Sequence, residues 1–309
     1  MNTLPQQLAN GLLLGSMYGL IAIGYTMVYG IVQLINFAHG EIFMTGGFGA
    51  LSVYLILPDS INIWVALPLM LIGGGLVAVL IAVGAERFAY RPLRGAPRLA
   101  PLITAIGLSL ALQEAIRNFY PQADKPRVFP ELGEGSYEIG SITFKNADLF
   151  LIVAAVVCMT GLAFFVRRSR TGRAMQATAQ DPDTAQLMGI DTNRIIVIAF
   201  AIGGFFAAVA SVAYGAKYGH VEYRMGFLMG LKAFTAAVLG GIGNIYGAMV
   251  GGLVLGIAEV TASAYIDGIP GMGEFGGSSW ANVWAFCLLI LVLLVRPQGL
   301  LGERVADRA

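Results

Sequence analysis

Charge is what this chain has least of. Of its 309 residues only 12% are Asp, Glu, Lys or Arg, about half the density of a soluble domain, while 57% are apolar. The formal net charge is +1 and the mean hydropathy +0.74. These values exclude a water-soluble globule. They also exclude a disordered chain, which is poor in apolar residues, and a broad basic surface for nucleic acid. Cysteine occurs twice, at Cys158 and Cys287, each inside an apolar run and without CxxC spacing, so neither a disulfide framework nor a thiolate metal site is expected. Histidine also occurs twice, at His39 and His220, with no serine–histidine or metal-ligand spacing to support an intramembrane hydrolase. No G-x-x-x-x-G-K-[ST] loop is present; residues 271–276 match G-x-G-x-x-G but follow Ile269-Pro270 rather than a strand and read as a loop. A charged n-region is missing, so no signal peptide is evident. The chain is therefore read as a non-enzyme, with no catalytic residue, no metal and no cofactor of its own.

What the chain does have is length without charge. Stretches free of Asp, Glu, Lys and Arg run over 1–40, 42–58, 60–85, 99–113, 149–166, 195–216, 233–258 and 275–295. A bilayer-spanning helix needs about 20 mostly apolar residues, and open sheet edges cannot be satisfied in lipid. The expectation is an all-α, polytopic transmembrane helical bundle with eight or nine crossings and broken or re-entrant segments. It forms a single transmembrane domain over 1–309.

Basic residues give the orientation. Arg87, Arg91, Arg94 and Arg98 crowd one loop, Arg167, Arg168, Arg170, Arg173 and Arg194 another, and Arg296, Arg304 and Arg308 the C-terminal tail; together they are 12 of the 19. These regions are expected on the cytoplasmic side, with segments 121–147 and 267–280 outside. No Lys or Arg precedes Arg87. The N-terminus lies either outside, with crossings near 8–30, 40–57 and 61–85, or inside, with 31–57 a broken element; the first is preferred.

Glycine is abundant, with 41 residues. Gly11, Gly15 and Gly19 repeat at spacing four, as do Gly247 and Gly251 with Gly252 and Gly256, which makes smooth faces for close helix packing in lipid. Val238-Leu-Gly-Gly-Ile-Gly-Asn-Ile-Tyr-Gly247 is too glycine-rich for continuous helix and reads as a turn between helices or a break at membrane depth. Intramembrane charges default to functional hypotheses. Glu114 and Arg117, one turn apart, read as an interfacial pair; Lys232 is placed to snorkel to the outer surface; Glu259 lies deeper, with no partner identifiable. The densest polar group is Ile35-Asn-Phe-Ala-His-Gly-Glu-Ile42. It reads equally as a cytoplasmic turn or as a helix break lining a polar conduit, with Asn36, His39, Glu41, Gly240, Gly241, Gly243 and Asn244 as the candidate translocation path.

The loop 167–194 is the most specific segment. Residues 173–180 are good helix formers, Asp181-Pro182 opens a second short helix with Asp as N-cap and Pro at N1, and Gly189 suits its end. Two capped helices presenting Ala and Met between charges make a compact docking surface.

That loop, with NGLLLGSMYGLIAIGYTMVYGIVQLINFAHGE at 10–41, MGLKAFTAAVLGGIGNIYGAMVGGLVLGIAE at 229–259 and LLILVLLVRPQGLLG at 288–302, resembles the LivH-type permease subunit of bacterial high-affinity branched-chain amino-acid ABC transporters. The resemblance spans essentially the whole chain. It implies a multi-pass subunit of the bacterial inner membrane with a cytoplasmic C-terminus. Its partners would be a second homologous permease, two cytoplasmic ATP-binding subunits that use the ATP, a periplasmic substrate-binding protein and the lipid bilayer. The family's ATPase-coupling loop carries over to Gly172, Arg173, Ala177, Asp181, Asp183, Leu187 and Gly189. Leucine, isoleucine and valine are the implied cargo. Urea and short-chain amide permeases share similar segments, and a stand-alone ion-coupled transporter using Glu41 or Glu259 is the rival class.

Overall fold

A computed structural model describes residues 4–58, 60–97, 99–133, 135–266 and 277–302. The expected loop motif at 271–276, most of the segment 267–280, and Arg98, Arg304 and Arg308 lie outside those residues. Among the described residues nine apolar helices build the bundle. They are α1 (Leu4–Val32), α2 (His39–Ile56), α3 (Ile63–Gly84), α4 (Leu99–Phe119), α5 (Asn146–Arg168), α8 (Thr192–Tyr218), α9 (Met225–Gly240), α10 (Ile245–Tyr265) and α11 (Ala281–Val295). Two short polar helices, α6 (Arg170–Gln180) and α7 (Pro182–Leu187), join α5 to α8. Six of the nine are long and apolar enough to span a bilayer by length and composition alone. α2 is diluted by His39, Gly40 and Glu41 at its start, and α9 and α11 are short.

Local chemistry sets the ends. Asn62 accepts the Trp64 N–H and starts α3, Asp191 accepts the Arg194 N–H and starts α8, and Asn244 accepts from Tyr246 and Gly247 to start α10. α1 stops where Gln33 turns left-handed at φ 53°. α8 stops at Gly219, φ 74°, a conformation that favours glycine.

The core is α1, α2, α8 and α9. α3 packs on α2 and α8, α10 on α1 and α9, and α4, α5 and α11 lie outside. Close approach through glycine makes this possible. A Cβ on Gly15 would lie 2.7 Å from the Leu253 Cα, and one on Gly252 would lie 2.6 Å from the Gly19 nitrogen, so α1 and α10 touch backbone to backbone. The same holds for α2 against α3 and α8: a Cβ on Gly46 would stand 2.8 Å from the Ala208 Cα. With no hydrophobic drive between helices in lipid, dispersion across such faces is the cohesive term.

The two ends of the bundle are distinct. At one, the Gln6 side chain bonds both backbone groups of Thr143, Lys217 pairs with Asp148, and β1 (Arg127–Val128) pairs antiparallel with β4 (His220–Val221). A hairpin of β2 (Ser136–Ile139) and β3 (Ile142–Lys145) completes this end. At the other, Tyr90 meets Asn36, Arg94 meets Asn193, Arg167 lies over Tyr246, and Leu300 and Leu301 bond the end of α9. The start of α1 thus shares an end with the β2–β3 hairpin, opposite the arginine-rich segments.

Candidate substrate path and coupling face

Between α1 and α2 the chain turns back inward, so α2 begins inside the protein. His39 is 1% exposed, Glu41 0% and Asn36 2%. Asn36 Oδ1 accepts from the Tyr90 hydroxyl at 2.6 Å and the Ala38 N–H at 3.1 Å, which ties the turn to the wide helical turn that follows α3. The His39 ring sits against Tyr25 with centroids 4.7 Å apart, and its Nε2 fills the space where a side chain on Gly24 would go. Glu41 Oε1 accepts from Gln113 Nε2 at 2.7 Å and Ser109 Oγ at 3.2 Å, both on α4. Gly226, at the start of α9, leaves room for Glu41; a Cβ there would lie 2.6 Å from the Gly40 carbonyl. Asn36 Nδ2, His39 Nε2 and Glu41 Oε2 have no protein partner. Buried polar atoms are nearly always paired, so three unpaired ones within six residues make this the most chemically open part of the interior.

A second polar group was only half visible in the sequence. Lys232 does not snorkel outward. Its Nζ lies 2.6 Å from Glu259 Oε1, both side chains are 7% exposed, and the Tyr18 hydroxyl donates to Glu259 Oε2 at 3.0 Å. The Lys232 ammonium also sits 5.6 Å from the Tyr18 ring centroid. The pairing follows from the hairpin of α9 and α10. Gly240 faces Gly247 and Ala236 faces Gly251, so Lys232 stands opposite Leu255, and its long stem covers the one remaining turn to Glu259. Glu114 and Arg117 form an exposed pair at 3.3 Å, worth only a few tenths of a kcal/mol at about this exposure.

The glycine-rich segment is the α9–α10 turn. Gly241 and Gly243 have φ 105° and 97°, and Asn244 Nδ2 donates to the Leu301 carbonyl at 2.9 Å. Leu300 and Leu301 donate to the carbonyls of Leu239 and Gly240 at 2.8 and 2.9 Å. A Cβ on Gly241 would lie 2.6 Å from the Gly302 Cα. Gly240, Gly241 and Asn244 are therefore occupied with the C-terminal strap, and Gly243 lies beside Gly30 of α1, whereas Asn36 is bonded to Tyr90 and His39 and Glu41 face α1, α4, α8 and α9. The two halves of the expected path sit in different surroundings.

The 167–194 segment folds as two capped helices. The Ser169 hydroxyl accepts the Gly172 N–H at 2.8 Å, starting α6, a cap that the sequence reading overlooked. A Cβ on buried Gly172 would lie 2.5 Å from the Phe165 carbonyl, so α6 folds tightly back on α5. Asp181 Oδ1 accepts from the N–H groups of Asp183 and Thr184 at 3.0 and 3.1 Å, and Oδ2 from the Thr184 hydroxyl at 2.6 Å. Those bonds, the hydroxyl's first, hold the Asp181 carboxyl below its ordinary range. Gly189, at φ 82°, ends α7, with Ile190 N–H bonded to the Ala185 carbonyl and Gly189 N–H to Gln186. Met175 and Ala185 anchor the pair in the bundle. Arg173, Asp181, Asp183, Leu187 and Gly189 face outward, and Ala177 is half-buried. Leu187 and Met188 are 88% and 79% exposed at the tip.

A bundle of apolar helices with a partly unpaired polar turn in its interior and a capped helical pair at one end is the architecture of a polytopic helical membrane protein. The chain belongs to the family described as branched-chain amino acid transport system, permease component, whose model matches residues 7–295. It is 44% identical over 313 residues, 98% of this chain and 97% of the relative, to the high-affinity branched-chain amino acid transport system permease protein BraD of Pseudomonas aeruginosa. It is 43% identical over 315 residues, with the same coverage, to the corresponding protein LivH of Escherichia coli K12. A probable branched-chain amino acid transport permease protein of Methanocaldococcus jannaschii is 24% identical over 92% of this chain and 88% of the relative.

Proposed function

We propose that this chain is one of two membrane subunits of an ATP-driven importer for leucine, isoleucine and valine. The substrate rests on the names of relatives that match it over 97% of their length. The arginine-rich end faces the cytoplasm and the Thr143 end the periplasm, by the excess of basic residues. A second permease, two ATP-binding subunits and a periplasmic binding protein complete the assembly.

The observation that carries the coupling mechanism is the exposed Leu187–Met188 tip of a helix pair capped at each of its starts. A bare charged loop needs no such rigidity. ATP-driven closure of the two ATPases presses on Arg173, Ala177, Asp181, Asp183, Leu187 and Gly189, and the push passes to α5, against which Gly172 seats α6, and to α8. A zwitterion loses hydration for both its charges in hydrocarbon. Asn36, His39 and Glu41 supply polar groups against that loss, and Gln113 and Ser109 join α4 to Glu41. ATP binding shifts the equilibrium only by its differential contacts in the two states.

The test is leucine uptake by membrane vesicles containing the full assembly. Asp181→Lys and Gly189→Val are expected to abolish ATP-dependent uptake while the subunit remains inserted. Wild-type uptake by a well-inserted Asp181→Lys variant refutes the coupling role, and concentrative uptake by this chain alone refutes the assembly. Titration of the binding protein with leucine and with urea decides the cargo; a response to urea and none to leucine overturns that part.

A further inference from the structure

We propose that the groove between α5 and α10 binds an anionic phospholipid from the leaflet at the arginine-rich end. The groove has a volume of about 530 Å³ and opens on the outside of the bundle, with α1 packed beside both helices. Its walls are apolar, Ala163 and Phe164 on α5 and Met249 on α10, and its mouth is formed by Arg167, Arg168 and Tyr246. The hydroxyl on the groove wall, that of Thr160, is already bonded to the Val156 carbonyl at 2.6 Å, and the second hydroxyl of the lining, that of Tyr246, lies at the mouth beside the arginines.

Three observations select this occupant. First, the lining runs along α5 from Val156 to Arg167, which at 1.5 Å per residue is about 16 Å. That is about half of a hydrocarbon core about 30 Å thick, the depth of one leaflet. Second, both guanidinium groups lie in the last turn of α5, at headgroup level. Among the described residues neither has an ion-pair partner, and Arg167 is steered over the mouth by Tyr246, 5.1 Å from its ring centroid. Third, tyrosine beside arginine at a helix end is the usual residue set at a membrane interface. Basic pockets between helices on this side recognise anionic headgroups. A neighbouring protein subunit would cover the apolar wall but would need acidic groups placed against both arginines.

The test uses the transporter purified with its partner subunits, titrated with phosphatidylglycerol or phosphatidylcholine of identical chains, and read by native mass spectrometry. Each basic side chain near an anionic lipid contributes about fivefold in affinity, so the wild type should prefer phosphatidylglycerol by about thirtyfold. Arg167→Gln with Arg168→Gln should bring the two lipids to near parity. Ala163→Trp fills the groove with both guanidinium groups intact and should reduce retention of both lipids. Arg117→Gln, at the opposite end, should change nothing. Equal retention of the two lipids by the wild type, or a preference untouched by both groove variants, overturns the proposal. So does a photoreactive group at Phe164 that captures a protein subunit instead of lipid.

Discussion

Replacing Lys232 by Met keeps the length of the side chain and removes its charge. Glu259 is then left 7% exposed with the Tyr18 hydroxyl as its remaining partner. Breaking a buried ion pair from one side costs about 3–5 kcal/mol, because the other charge stays buried without compensation. At about 2–4 °C per kcal/mol for a chain somewhat smaller than this one, the unfolding temperature should fall by about 10 °C. Removing both charges together, Lys232→Met with Glu259→Leu, leaves only the Tyr18 hydroxyl unpaired, a loss of about 1–3 kcal/mol. Adding Tyr18→Phe removes that as well, so the triple variant should return close to the wild type. The assay is the fraction of monodisperse protein surviving a heating series in detergent, followed by gel filtration. The reasoning fails if the double variant falls as far as the two single variants added together, since that would mean the two side chains are not coupled.

Gly15→Ala should deplete the protein from membranes, because its Cβ would lie 2.7 Å from the backbone of Leu253. Gly161→Ala, which meets nothing within 4 Å, should instead gain up to about 1 kcal/mol; immunoblots of membrane fractions and the same heating series check both. Asp181 titrates below its ordinary value of 3.8, so its cap is complete above that pH and is lost as the pH falls through the lower value of the folded protein. Thr184→Ala should move the Asp181 carboxyl back up, seen in a carbon-13 titration; an unmoved carboxyl would show that the hydroxyl bond is not the cause.

Much of the architecture could be read directly, because the cost of burying a charge in lipid is local. The charge-free stretches fall on the helices, and Asp181-Pro182 and Gly189 bracket α7 since caps are written in adjacent residues. Partners across the bundle were not readable. Lys232 looked able to reach the surface because its stem is long, and only the register of the α9–α10 hairpin turns it toward Glu259. The Tyr90–Asn36 and Gln113–Glu41 contacts likewise depend on helix neighbours that no spacing encodes. The 238–247 segment read as either turn or membrane break, and what distinguishes them is the C-terminal strap that bonds it.

The inward start of α2 constrains how the protein is made. His39 and Glu41 leave the ribosome well before Gly203 and Gly226, the residues of α8 and α9 that enclose them. Until those later helices arrive, the nascent chain must hold a histidine and a carboxyl at the translocon or the headgroup layer, where water is available. The enclosure of α2's start is therefore complete only once α8 and α9 have been made.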